Sequence, residues 1–366
     1  MRLTANQKKP YVGAHCLVLI LAMLNLPIVS VAIASDEPFR SVTQSASPWG
    51  GVPGPFDVGI SVETRVQNRS GTDMETAFRE TEALLIGNRL REEFEKAAGW
   101  GVVRLFPEPS VIPQLTAYLE VLESDGRELT IKVTARTVSG ELLLSQSYRD
   151  TSTGEDYSND LKDPFADLFI AVHNDIADAL SSKSISEPYL RAVSSLRYAS
   201  ELIPEAFPDY LCQDAGLFAV CREPSDADPM LARLSRLRDY ELLFVDTIDE
   251  QLVRVAEKLN GAYHLWLKAS KEQLDWLEFR QQQGVSRETL RNESTFTRLQ
   301  AVYAAHRSLK IHEQELFELV LELENEARAT AVYANQQVFR LSGTLEQQYR
   351  EWRTTLREIN DLESPL

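Results

Sequence analysis

Ile248, Leu252, Val255, Leu259, Ala262 and Trp266 are spaced four, three, four, three and four residues apart, and no other feature constrains the fold as tightly. Apolar residues at these intervals return to one side of an α-helix, so the chain beyond Pro229 is expected to be helical. The run ends near "RQQQGVSRE", where Gly284 supplies a stop and Ser286 a new cap. A second seam runs from Leu299 through His306, Glu313 and Val320 to Ala334, shifts register near Val338 and meets a break signal at Gly343. Leu345, Trp352, Leu356 and Ile359 continue an apolar stripe nearly to the end. Two arms of about 50 residues, each about 75 Å long, are expected to form an antiparallel helical hairpin or coiled coil over residues 230–361.

His306 and Glu313 fall inside the second seam, where buried polar residues set register, so they read as a polar layer of the coil. His306 and His312 are six residues apart, a poor spacing for two imidazoles on one metal, and no metal site is expected. "YHLWLKAS" (263–270) and "YREWRTT" (349–355) share a Tyr-x-x-Trp pattern. In antiparallel arms Tyr263, Trp266, Tyr349 and Trp352 fall near one end of the coil. There they either fill the wide end of a bundle or form a docking patch for a partner.

The amino-terminal half has a different period. Phe56, Val58, Ile60 and Val62 alternate with Asp57, Gly59 and Ser61, as in a half-buried strand. A helix follows, with Ala83, Ile86, Leu90 and Phe94 on one face and the charges of "RLREEFEK" on the others. "VVRLF" (102–106) is a short strand. Leu115 to Val121, Leu129 to Ala135 and Leu142 to Tyr148 form a meander, turning at Asp125-Gly126 and Ser139-Gly140. "DPFADLFIAVHNDIADAL" begins a second helix with Asp163 as cap and Pro164 at its first position, and His173 borders its apolar stripe. The fold class is therefore α+β. Two helices should cover one face of a small, mainly antiparallel sheet over residues 55–185, ahead of the helical part.

"LTIKVTARTVSGELLLSQSYRD" resembles the strand-turn-strand of small periplasmic modules such as the TolB amino-terminal domain and those of penicillin-binding-protein activator lipoproteins. The matching residues are Val133, Ala135, Val138, Gly140, Leu142, Leu144 and Tyr148, then Phe165 to Leu180. The resemblance implies an interaction module of the bacterial envelope, without catalytic activity. Among its relatives are regulators of cell-wall enzymes.

Composition says where such a module works. The 366 residues carry 38 basic and 55 acidic side chains, a formal net charge of −17. That balance repels phosphate backbones and anionic lipid, so it argues against nucleic acid and favours basic partners. The exception is the start: "MRLTANQKKPYVGAH" is basic, "CLVLILAML" is apolar, and Ala32 and Ala34 supply small residues. This is the order of a signal peptide, with cleavage expected after Ala34 and release into the periplasm. The alternative is an uncleaved inner-membrane anchor, although Asn25 and Pro27 interrupt its apolar run. Residues 35–54 read as a flexible lead-in. In an oxidising compartment Cys212 and Cys221, within a Pro-rich connector after a helix over 187–202, are expected to form a structural disulfide.

Little points to chemistry. G-x-S-x-G, S-x-x-K, H-E-x-x-H and phosphate-loop motifs are absent from the sequence. No catalytic residue, cofactor or small-molecule substrate is expected. The expected role is a non-catalytic periplasmic adaptor or scaffold that binds a protein partner, with a homodimer through the helical arms as one arrangement. The alternatives are a regulator of a peptidoglycan enzyme and an envelope hydrolase using paired carboxylates.

Overall fold

The computed structural model describes residues 39–42, 54–66, 72–97, 99–158, 163–205, 207–225, 228–282 and 293–363. The leader with Ala34, most of the lead-in and the polar turn at Gly284 lie outside them. In chain order the elements are β1 (Arg40–Val42), β2 (Val58–Thr64), α1 (Asp73–Lys96), β3 (Val103–Leu105), β4 (Leu115–Ser124), β5 (Glu128–Thr137) and β6 (Leu142–Thr151). There follow α2 (Ala166–Ser181), α3 (Glu187–Leu202), β7 (Leu211–Asp214), β8 (Leu217–Val220), α4 (Pro229–Gln282), α5 (Glu293–Ala327), β9 (Ala329–Ala334), β10 (Gln337–Ser342) and α6 (Leu345–Glu363). No helix among the described residues is long and apolar enough to cross a membrane.

The α+β class is observed, with a six-stranded sheet in the order β1-β6-β5-β4-β2-β3. The sheet is more mixed than expected. The β4–β5 and β5–β6 pairings are antiparallel, but β2–β3, β2–β4 and β1–β6 are parallel. A helix inserted between neighbouring strands returns the chain in the same direction, and α1 does this between β2 and β3. Alternation along β4 and β5 buries Leu115, Ala117, Leu119 and Val121 beside Leu129, Ile131, Val133 and Ala135. α1 and α2 pack on that face and on each other. The opposite face carries Tyr118, Glu120, Lys132 and Thr134, with Glu120 opposite Lys132 and Tyr118 opposite Thr134.

Two expectations are corrected at the amino-terminal side. Within the supposed flexible lead-in, Arg40–Val42 forms β1, parallel to β6, with Val42 buried. Three residues are too few to show a period, and the strand depends on an edge formed far along the chain. Arg149 lies over the Phe39 ring at 4.2 Å, and Arg40 pairs with Asp175 of α2. The second helix begins at Ala166 rather than Pro164, although Asp163 still caps its approach by accepting the Phe165 N–H at 2.9 Å.

The helical half differs more. α4 has 54 residues, about 80 Å of helix at 1.5 Å per residue. α5 stops at Ala327, where a continuing seam was expected, and a β-hairpin of β9 and β10 follows. Thr330, Val332 and Ala334 alternate inward along β9, while Asn335 and Gln336 take the positive φ of 45° and 63° that a two-residue hairpin turn demands. Positions 330 and 334 fit a heptad step and a strand period equally well, and the β-branched residues and the turn favour the strand.

α4 and α5 pack side by side, but their apolar seams also face α1. Phe78 of α1 meets the Trp266 ring at 5.0 Å and the Phe317 ring at 5.6 Å. α4 also packs against the β3 edge of the sheet, where Arg104 binds Asp246 at 2.6 Å and the Leu105 N–H donates to Asp249 at 3.1 Å. A second buried cluster joins α3, the first part of α4, the β9–β10 hairpin and α6. All described residues belong to one compact unit.

Candidate functional site: a free sheet edge and two clefts

β6 is the last long strand of the sheet, and β1 covers only Tyr148–Asp150 of its outer side. Along Leu142–Ser147 no strand lies on that side among the described residues. Leu142 is 43% exposed, and Ser145 is exposed as well. Lys183 stands at the start of this edge, paired with Glu141 and donating to the Leu142 carbonyl at 3.4 Å. A charged lysine at the rim is a common guard of a strand end, and no strand among the described residues pairs with the stretch beyond it. β1 is seated parallel on the neighbouring stretch, Tyr148–Asp150, of the same edge.

The turn before this edge is anchored from outside the sheet. Ser139 accepts the Phe218 N–H at 2.8 Å, and Gly140, at φ +91°, has no room for a Cβ beside the Gly216 carbonyl. Arg197 of α3 lies over the Phe218 ring at 4.0 Å and donates to the Val138 carbonyl at 2.8 Å. β7 and β8 form a hairpin around Ala215-Gly216, and Cys212 and Cys221 lie at disulfide distance with Cα atoms 5.7 Å apart. The cysteine-bearing connector is thus a clip that holds the β5–β6 turn.

Two clefts open elsewhere. One, of about 400 Å³, lies on the polar face of the sheet beside the start of α6, lined by Glu63, Glu108, Tyr118 and Glu346. The Tyr118 phenol donates to Glu63, and burial together with that carboxylate pushes it up to about 12. Glu108 is bound by Arg350 at 2.8 Å. The other cleft, of about 300 Å³, lies where α1, α4 and α5 meet, and Arg79, Trp266, His306 and Glu313 are among its lining residues.

The residues singled out by sequence are dispersed by the fold. Tyr263 and Trp266 are buried beneath α1, whereas Tyr349 and Trp352 are buried in the second cluster with Phe244. They lie at two places rather than one end of a coil. With relative exposures of 9%, 7%, 1% and 0%, they are core residues and not an exposed docking patch. Tyr263 donates to Glu82 at 2.9 Å, Tyr349 to Glu241 at 2.5 Å, and the Trp352 indole to the Tyr240 carbonyl at 3.1 Å. His306 is exposed and Glu313 half-buried beside Lys310, so they do not form a buried polar layer. Among the described side chains of α5, Leu316 and Val320 further along are the fully covered ones. His173 is buried rather than peripheral. Its Nε2 accepts the Trp100 indole N–H at 3.0 Å, and burial holds its pKa below the ordinary range.

Sequence reasoning missed Arg79 and Glu82, which are buried with a 2.6 Å contact between them. Neither belongs to the apolar stripe of Ala83, Ile86, Leu90 and Phe94 that the sequence shows for this helix. The available signal was an opposite-charge pair three residues apart, immediately beside Phe78 and the Ala83–Ile86 stripe. The open β6 edge has no sequence signal of its own, because an edge strand and a central one share the same alternation.

Carboxyls whose pKa burial raises lie elsewhere: Asp150 and Asp249 to about 7, and Glu241 in the same direction. Asp249 is engaged by the Leu105 N–H, and Glu241 by Tyr349, so both join structural elements. Among the described residues no group of His, Cys, Asp and Glu is arranged to hold a metal ion. No protein-family model, no curated protein and no solved structure matches this chain.

Proposed function

We propose that the chain is a non-catalytic adaptor of the bacterial cell envelope that receives an extended segment of a protein partner on the free edge of β6. The supporting observation is the open stretch Leu142–Ser147, continuous with a stretch of the same edge where β1 is already paired. Strand addition draws affinity from backbone hydrogen bonds and specificity from alternate side chains, so it requires no catalytic constellation. The net charge of −17 favours a basic partner. The hydrophobic pattern that residues 55–185 share with TolB-like and activator-lipoprotein modules supports the same reading, as does a leader of signal-peptide order. On this reading α4 and α5 act as a helical hairpin that extends the module's reach.

A photo-crosslinking residue at Ser145 in intact cells tests the proposal, with one at the exposed Glu358 of α6 as control. The expected result is one discrete adduct from position 145, lost when Leu142 is replaced by Lys, and none from position 358. Equal labelling from both positions, or none from position 145, would refute strand addition here.

A further inference from the structure

The stretch from Arg328 to Ser342, which contains the β9–β10 hairpin, holds two arginines and no acid, in a chain of net charge −17. One face of the hairpin is buried through Thr330, Val332, Ala334 and Leu341. On the other face Tyr333 and Val338 lie opposite each other near the turn, 63% and 62% exposed, and Arg340 lies opposite Ala331 nearer the base. Arg328 is exposed just before β9. Among the described residues neither guanidinium forms a hydrogen bond or an ion pair. An exposed tyrosine beside unpaired arginines is the composition of an interface centre. The outer side of α5 has the complementary character. Ile311, Glu315, Glu318 and Glu322 follow at steps of four, three and four, so they stack on one side of the helix, and Leu321 lies beside them. All five are exposed, and Glu322 has no partner among the described residues. Ile311 to Glu322 spans about 17 Å of helix, and Arg328 to Tyr333 about 17 Å of strand.

We propose that the chain pairs with a second copy of itself by laying each β9–β10 hairpin on the outer side of the other copy's α5. Tyr333 and Val338 then cover Ile311, while Arg340 and Arg328 meet Glu318 and Glu322. The two surfaces match in length and carry their features in the same order, with the apolar residues at one end and the charges at the other. A two-fold axis between the end of α5 and the base of β9 makes both contacts at once, because a symmetric dimer uses each surface twice. Charge complementarity selects this occupant: the arginines repel a basic partner, and the acidic, apolar stripe that answers them stands on the same chain. Arginine suits the role because its planar head binds carboxylates in a defined geometry, and such pairs fix register and orientation. The surface belongs to the helical half, and nothing in this assignment depends on strand addition at β6.

Sedimentation equilibrium of the purified chain at about 10 µM, a concentration at which a specific interface of ordinary affinity is occupied, tests it. Twice the monomer mass is expected. Arg328→Glu with Arg340→Glu in one variant, and Glu318→Lys with Glu322→Lys in another, should each weaken association about tenfold or more. Mixing these two variants should restore the dimer, because each hairpin then faces a stripe of opposite charge. Tyr333→Ser with Val338→Ser should weaken association without any change of charge. All the substituted side chains are exposed, so each variant should still melt cooperatively. The proposal is overturned if the parent chain is a monomer at this concentration, if either charge reversal leaves the dimer as tight as before, or if the mixed variants stay monomeric while both melt cooperatively. A folded Tyr333→Ser, Val338→Ser chain that dimerises as tightly as the parent overturns it as well.

Discussion

Gly126, at φ +82° in the turn between β4 and β5, lies so close to Leu267 of α4 that a Cβ would overlap the Leu267 carbonyl. A turn of the sheet and the body of the longest helix are therefore in backbone contact. The Ser152 hydroxyl ties the same turn to the sheet through the Gly126 carbonyl at 2.8 Å. Gly126→Ala should destabilise the protein by about 2–4 kcal/mol, combining left-handed backbone strain with overpacking. Gly154→Ala, where no atom lies within 4 Å of the added carbon, should change stability by less than about 0.5 kcal/mol. Urea unfolding of the two variants measures the difference.

The buried aromatics of α6 carry the second cluster. Trp352→Ala should cost about 3–5 kcal/mol, as removal of a fully buried large side chain does. Tyr349→Phe leaves Glu241 without its 2.5 Å donor and should cost about 1–3 kcal/mol. Tyr303, 69% exposed on α5, should tolerate replacement by Ala with little effect on chemical denaturation.

Cys212 and Cys221 are both exposed on the clip hairpin, nine residues apart in sequence. Joining them across so short a loop stabilises the fold by about 2–3 kcal/mol in the loop-entropy model. Cys212→Ser with Cys221→Ser, or added reductant, should lower the melting temperature. Amide exchange should show loosening concentrated in β7, β8 and the Ser139-Gly140 turn that they hold.

Burial raises Asp150 and Asp249 to about 7, from an ordinary carboxylate value of about 4. Between these values the folded state keeps protons that the unfolded chain has lost. The stability these groups contribute is thus fully present below about pH 4 and is lost as pH rises through about 7. Asp249→Asn should flatten the decline in melting temperature between pH 5 and pH 8. A slope identical to that of the parent protein would rule out Asp249 as a contributor.

Much of the sheet was legible from local sequence. Alternation along 115–121 and 129–135 marks strands whatever their surroundings, and Gly126 and Gly140 mark turns that need positive φ. The helical half was less legible because its pattern was ambiguous. The four-residue step from Thr330 to Ala334 suits a helix seam and a strand equally, and a hairpin forms there. At the candidate site, neither the open β6 edge nor the Arg79 cleft could be read locally. Edge position depends on strand order, and the burial of Arg79 depends on α4 and α5 closing over α1.

The sequence by itself determined the periods: which stretches are strands, which residues form apolar stripes, and that Cys212 and Cys221 are able to pair. Those properties follow from backbone geometry and hydrophobic spacing within a few residues. Only the tertiary structure decided which partner each stripe meets. Trp266 was free to face another helix of a coil, a partner protein or the sheet module, since burying its apolar surface is favourable in every case. Its contact with Phe78 follows from the way α4 packs across α1, and that same packing forms the cleft beside Arg79.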